Sequence, residues 1–206
     1  MTIGDTSQIE PNLKGGFLKG NHQARIAMVG RSNVGKSSLI NALLGAKLAQ
    51  TSAQPGKTRL LHFYLWTDAK RILADLPGYG FARAAKDERD RWSTFINAYL
   101  RADGGLEQAI VLLDARHGPT EIDCEAIRFL YFERVPVRFV FTKSDQLKNQ
   151  SERARRKKEA VLALKELGYD ASKSHWVSVN DRKSIEFFGK SLLIEPEVST
   201  SEGGAP

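Results

Sequence analysis

The sequence has almost no cysteine: Cys124 is the only one. A single thiol cannot close an intrachain disulfide, so no covalent staple holds the fold, and a reducing compartment, the cytoplasm, is the expected setting. Histidine is also scarce. His22, His62, His117 and His175 are scattered, with no metal-ligand spacing. No stretch approaches the ~20 apolar residues that a membrane span needs. The N-terminal "MTIGDTSQIEPN" has neither a basic cluster nor an apolar core, and it carries Asp5 and Glu10. Neither a signal peptide nor an organelle transit peptide is therefore expected. No internal repeat is present.

What is there fits one domain with a full core plus tails, in 206 residues. Hydrophobic residues make up 41% and charged residues 27%, an ordinary globular balance. Lysine and arginine total 31 against 24 aspartate and glutamate, a net charge of +7. That excess either draws a polyanion such as RNA or is simply a basic solvated surface, and charge alone does not decide between them.

Residues 1–24 lack apolar periodicity and read as an N-terminal arm. Residues 195–206, "EPEVSTSEGGAP", have almost nothing to bury and read as a disordered tail. Between them, over 25–194, strand and helix signals alternate. Strands are expected at 25–29, 60–66, 70–76, 108–115, 135–143 and 174–179, the second and third joined as a hairpin by "TDA". Helices are expected at 36–45, 86–102, 121–133, 151–167 and 182–192. Repeated strand–helix units predict an α/β fold of three layers: a mostly parallel six-stranded sheet with one antiparallel strand and helices on both faces. Ligands of such sheets bind at the carboxyl ends of the strands.

Four motifs fall at such ends. Gly30, Arg31, Ser32, Asn33, Val34, Gly35, Lys36 and Ser37 match G-x-x-x-x-G-K-S/T, with a strand before and a helix, starting through Ser38, after. Such a loop wraps a polyphosphate with backbone amides; Lys36 reaches the outer phosphates and the Ser37 hydroxyl can ligate Mg²⁺. "DLPG" places Asp75 where a carboxylate can hold the Mg²⁺ shell and Gly78 where an amide can meet the terminal phosphate. "TKSD" offers Asp145 to the N1–H and exocyclic amine of guanine, a donor pair that adenine lacks, while the stem of Lys143 after Thr142 can cover the base. In "QPGKTR", Gly56 and Lys57 lead to Thr58, which can close over Mg²⁺ and the γ-phosphate. In this order the four are the signature of P-loop GTPases of the Ras and translation-factor type, with GTP or GDP and Mg²⁺ as ligands. Metal ligands would be Ser37, Thr58 and Asp75.

The wording between the motifs is closer still to one family. "GRSNVGKSSLINALLG", "PGKTR", "DLPGYGFA", "LLDARHGPTEID" and "FTKSDQLK" together resemble the EngB (YihA/YsxC) family of bacterial ribosome-biogenesis GTPases. The resemblance implies GTP hydrolysis coupled to assembly of the large ribosomal subunit, with rRNA and ribosomal protein as partners, and a need in cell division and septation; a monomer is expected, although the sequence leaves the oligomeric state open. To the catalytic parts that the motifs give Lys36, Thr58 and Gly78 it adds one for Asn33. It also implies a base-supporting loop at Ser178 and Val179, where "SVNDRKS" departs from the family's usual Ser-Ser/Ala form and leaves Asn180 unassigned. Tyr79 stands where Ras-type GTPases place a water-orienting Gln, so slow intrinsic turnover is expected and the Tyr is read as packing in a mobile loop. By resemblance Asn33 then holds K⁺ beside the phosphates; the alternative is that it only hydrogen-bonds its own loop. The Arg- and Lys-rich segment 151–173, with 81–92 beside the γ-phosphate switch, is either a solvated face or an rRNA contact, and the resemblance favours the second.

Overall fold

The structure is a computed structural model that describes residues 2–3, 24–49, 61–80, 93–94, 96–101, 106–172 and 174–194. Among the described residues it forms strands β1 (Thr2–Ile3), β2 (Ala24–Gly30), β3 (Leu61–Trp66), β4 (Arg71–Asp75), β5 (Leu106–Asp114), β6 (Val137–Thr142) and β7 (His175–Trp176). Helices α1 (Lys36–Leu44), α2 (Glu121–Phe132), α3 (Gln150–Glu166) and α4 (Arg182–Ser191) lie between and after them, and residues 96–101 are also helical. The strands make one sheet in the order β1-β3-β4-β2-β5-β6-β7.

All six expected strands are present, and β3 is the one that runs against the others. β1 is an addition: Thr2 and Ile3 pair antiparallel with His62 and Leu61, giving the edge of β3 a partner within a stretch expected to be an arm only. The last strand is shorter than expected. After Trp176 the chain turns at residues 178–181, where Asp181 N donates to Ser178 O at 3.0 Å and Asp181 then caps α4. Most of the expected helix at 86–102, the arm and the tail lie outside the described residues.

The strand pattern explains the three layers. Side chains alternate along a strand, so each central strand feeds two cores. Ala27 and Val29 of β2, Val111 and Leu113 of β5, and Phe139 and Phe141 of β6 face one core, closed by Ile96, Tyr99, Ala126, Ile127, Leu130, Ala160 and Leu164. Ile26, Met28, Ile110, Leu112 and Val140 face the other, closed by Leu39, Ile40, Ile185 and Phe188. α2, α3 and residues 96–101 therefore cover one face, and α1 and α4 the other. Strands buried on both faces read as continuous apolar runs, as "AIVLL" in β5 does. Each fully buried Leu, Ile or Phe contributes about 1.5–3 kcal/mol.

Candidate functional site

The chain moves from β2 to β4 on one side of it, then to β5 on the other. Loops leaving the three strands at this switch point open toward one end of the sheet, where α/β folds take their ligands.

The loop after β2 is shaped by its glycines. A Cβ on Gly30 would lie 2.9 Å from Val34 Cγ1 and 3.1 Å from Leu112 O, so only glycine lets the chain leave the sheet here. Asn33 (φ 62°) and Gly35 (φ 105°) both adopt the left-handed region. Asn enters it more readily than most residues, which gives Asn33 a backbone reason to stand in the loop. The loop runs into α1, whose first turn carries no acidic side chain. The first turns of α2 and α3 do, with Glu121 and Asp123 in one and Glu152 in the other, and α4, which has none there, is capped by the Asp181 carboxylate, whereas the Gly35 cap of α1 has no side chain. The positive end of α1 is thus left for a ligand's anion.

Lys36 opens α1, and its Nζ lies 2.9 Å from Asp75 Oδ1 at the end of β4. The two side chains are only 10% and 4% exposed. Even so, Asp75 Oδ1 accepts no well-formed hydrogen bond among the described residues. A buried carboxylate oxygen with lone pairs to spare is costly until something completes its shell. A Mg²⁺-polyphosphate would do so: Lys36 would turn to phosphate oxygens, and Asp75 with the Ser37 hydroxyl would hold the cation. The residues present therefore fit that ligand. The turn after Asp75 is laid on the phosphate loop. Ser32 N donates to Tyr79 O at 3.0 Å, and a Cβ on Gly78 would sit 3.0 Å from Ser32 N.

From β6 two side chains reach back to the same loop. The Thr142 hydroxyl donates to Val34 O at 2.6 Å. Lys143 (φ 59°) sends Nζ to Asn33 O at 2.7 Å and to Asp114 Oδ2 at 3.0 Å. These bonds offset a left-handed backbone that costs a non-glycine residue roughly 1–2 kcal/mol. Asp114 also receives Arg116 Nε at 2.9 Å. Burial opposes its charge, but the hydrogen bonds from Arg116 and Lys143 outweigh burial and hold its carboxyl well below the usual range. Asp114 is thus a fixed anion to which Lys143 is moored. Asp145 follows in a single 3-10 turn, and Asn180 Nδ2 donates to its Oδ2 at 3.1 Å. Hydrogen bonds, first from Ser178 and then from Asn180, keep the Asp145 carboxyl below its ordinary value. It is acceptor-only near neutrality, and guanine's N1–H and exocyclic amine are the matching donors.

Known proteins resemble this chain in sequence and in fold. The sequence profile of a family described as 50S ribosome-binding GTPase matches residues 25–143, more than half of the chain. The chain is 46% identical over 138 residues to the probable GTP-binding protein EngB of Ligilactobacillus salivarius, covering 65% of this chain and 70% of that protein. To its counterpart from Streptococcus agalactiae it is 40% identical over 173 residues, covering 82% of this chain and 84% of that one. The chain belongs to the EngB family of P-loop GTPases. A crystal structure of a probable EngB protein superposes with a TM-score of 0.62 at 26% identity, covering 82% of this chain and 96% of that one. Era from Aquifex aeolicus, crystallised with GDP and AlF4⁻, shares the fold at a TM-score of 0.64 and 24% identity, over 87% of this chain and 57% of its own.

Of the residues expected at an EngB site, 30–38, Asp75, Gly78 and 142–145 come together at one end of the sheet. Gly56, Lys57 and Thr58 lie outside the described residues. β3 begins at that end, His62 pairing with Asp75, so the chain enters it from the side of the site.

Three residues have partners that the sequence did not indicate. The Ser178 amide, expected to reach the base, donates to Ser184 Oγ at 3.2 Å, with α4 beginning directly behind it. Val179 is half exposed. Asn180, unassigned in the sequence, joins Ser178 in bonding Asp145 through its side chain, and only the fold brings it there. Finally, Tyr79 is not loose packing. It is 6% exposed and its hydroxyl donates to Asp123 Oδ1 at 2.9 Å. Burial first, and then the charge of Asp123, push its phenol well above the usual range, so it stays a protonated donor. Asp123 was missed because Thr-x-x-Asp before an apolar helix reads as a helix cap and nothing more.

Proposed function

We propose that this EngB GTPase hydrolyses GTP to GDP and phosphate as a cytoplasmic, monomeric switch in assembly of the large ribosomal subunit, and that normal division and septation depend on it. One observation carries the nucleotide half: Lys143 Nζ, 2.7 Å from Asn33 O and 3.0 Å from Asp114 Oδ2, sets a base-reading carboxylate at fixed reach from the phosphate loop. Support for the ribosomal half comes from the family description, which names the 50S ribosome, and from the charge of α3. That helix carries Arg153, Arg155, Arg156, Lys157, Lys158 and Lys165. Glu159 offsets part of this, pairing with Arg155 and Arg156 at 3.1 Å each. The other candidate surface, 81–92, lies outside the described residues. In sedimentation with ribosomal particles, binding to large-subunit precursors is expected to be stronger with a non-hydrolysable GTP analogue than with GDP. It should also fall steeply as salt rises, since phosphate contacts release counterions. Equal binding in both nucleotide states would overturn the switch, and salt-independent binding would point to a protein partner.

In this reading Ser37, Asp75 and Thr58 would hold Mg²⁺, which would supply charge neutralisation at the phosphates. Lys36 stabilises charge on the outer phosphates, and the Gly78 amide meets the terminal one. Tyr79 orients no water, since its hydroxyl is committed to Asp123. Intrinsic turnover is therefore slow, and the same observation favours a second reading, a GTP-binding septation switch with negligible hydrolysis. Single-turnover assays with and without ribosomal particles separate the two.

Asn33 is assigned the recruitment of K⁺ to supply the missing charge; its side chain is exposed at the loop's crest. GTP turnover should rise when K⁺ replaces Na⁺, and Asn33→Ala should remove the rise. Asn33→Gly keeps the φ of 62° accessible and should remove it too, which distinguishes a lost ligand from a strained loop. Equal rates in the two salts for the unaltered chain would reject the role.

A further inference from the structure

Asp123 is fully buried in the first turn of α2, and the phosphate chemistry above makes no use of it. Its two oxygens divide their partners. Oδ2 accepts Thr120 N at 2.9 Å and Thr120 Oγ1 at 2.7 Å, and lies 3.2 Å from Arg31 Nε. Oδ1 accepts the Tyr79 hydroxyl from 44 residues away. Oδ2 alone completes the helix cap, so the cap does not explain Oδ1. Arg31 follows Gly30 and Tyr79 follows Gly78. One carboxylate thus holds a side chain from each of the two phosphate loops.

The loop backbones join at the same place. Residues Arg31 and Tyr79 form an isolated parallel bridge, and Ser32 N donates to Tyr79 O at 3.0 Å. On the far side, a Cβ on Gly80 (φ 74°) would lie 3.5 Å from both Arg31 Cγ and Ile122 Cγ2, so α2 closes against the turn.

We propose that Asp123 is a positioning residue for the terminal phosphate: it clamps the Gly78–Tyr79 turn onto the Gly30–Ser32 turn and so sets the Gly78 amide where a γ-phosphate meets it. The inference rests on the guanine-nucleotide reading of the site. An amide contributes most to binding an anion when it is held in place before the anion arrives. β4 ends at Asp75 and Leu76 N still donates to Met28 O at 3.2 Å; further along, the Arg31–Tyr79 bridge and Asp123 help hold the turn at Gly78 and Tyr79. The base would be held by 142–145 and the inner phosphates by the Asn33–Ser37 part of the loop entering α1, beyond the Gly30–Ser32 turn that the clamp touches. Its loss must therefore separate triphosphate from diphosphate binding.

The test uses the full chain with Mg²⁺ and compares dissociation constants for GDP and for a non-hydrolysable GTP analogue in the unaltered chain, Tyr79→Phe and Asp123→Asn. Tyr79→Phe removes one hydroxyl and keeps the packed ring. Asp123→Asn keeps the shape and an acceptor for the cap while removing the charge that faces Arg31. Each variant is expected to weaken the analogue about fivefold or more and GDP less than about twofold, in keeping with the worth of hydrogen bonds to charged groups. A merely structural role would lower the melting temperature and leave the analogue-to-GDP ratio unchanged. If Asp123→Asn does not fold, Tyr79→Phe decides alone. An unchanged ratio in Tyr79→Phe, with both nucleotides bound, overturns the clamp and leaves the guanine reading standing. Failure of the unaltered chain to bind either nucleotide overturns that reading, and the clamp with it.

Discussion

Asp145→Asn is expected to weaken GDP about a thousandfold and to turn the site toward xanthine nucleotides. The Asp145 carboxylate offers two acceptors to two guanine donors, N1–H and the exocyclic amine. Hydrogen bonds to a charged group are worth about 1.5–3 kcal/mol each, so losing or reversing the pair spans roughly 10²–10⁴ in affinity. An asparagine keeps one acceptor for N1–H but presents a donor to the exocyclic amine, which also donates. Xanthine carries a carbonyl at that carbon and restores the match. Asn180 sharpens the effect, since its Nδ2 already donates to Asp145 Oδ2 and competes for the one oxygen that the variant retains. Calorimetric titration with GDP, XDP and ADP measures all three. The carboxylate lies near the surface, so the thermal midpoint of the free chain should hardly move, and lost binding cannot be mistaken for unfolding. ADP binding the unaltered chain as well as GDP does would defeat the assignment of Asp145.

The features readable in the sequence are those whose reason is local. β5 shows its two-sided burial in "AIVLL", and the phosphate loop shows its backbone demands in glycines 30 and 35. The order of Lys36, Asp75 and Asp145 along the chain, each just past a strand, already placed them at one end of a parallel sheet. What stayed hidden are pairs that the fold alone brings together. Tyr79 meets Asp123 across 44 residues, and Asn180 meets Asp145 across 35. Each of these four has an adequate local reading, as turn filler, helix cap, loop polar or base reader, so no residue type signals the second task. Thr2 and Ile3 were missed for a different reason: two residues carry no periodicity, and the edge of β3 decides their pairing.

Lys36→Ala is expected to cost both ligand and fold, and the two losses can be separated. The Lys36–Asp75 contact is 2.9 Å long with both side chains largely buried. Removing the ammonium leaves Asp75 as an uncompensated buried charge, which costs about 3–5 kcal/mol. Domains of this kind have only about 5–15 kcal/mol to lose, so the urea midpoint should drop sharply. Nucleotide binding should fall at least about a hundredfold, since the charge-assisted bonds proposed between Lys36 and phosphate would be lost. Pairing Lys36→Met with Asp75→Leu replaces the ion pair by apolar side chains of similar volume, a change that is often neutral or stabilising. This double variant should regain the urea midpoint and remain unable to bind GDP. In the unaltered chain, GDP at a hundred times its dissociation constant adds about 2.7 kcal/mol of stability, and in the double variant it should add none. A Lys36→Ala protein with an unchanged midpoint would show that Asp75 finds another partner, and a double variant that still gains stability from GDP would remove Lys36 and Asp75 from the phosphate site.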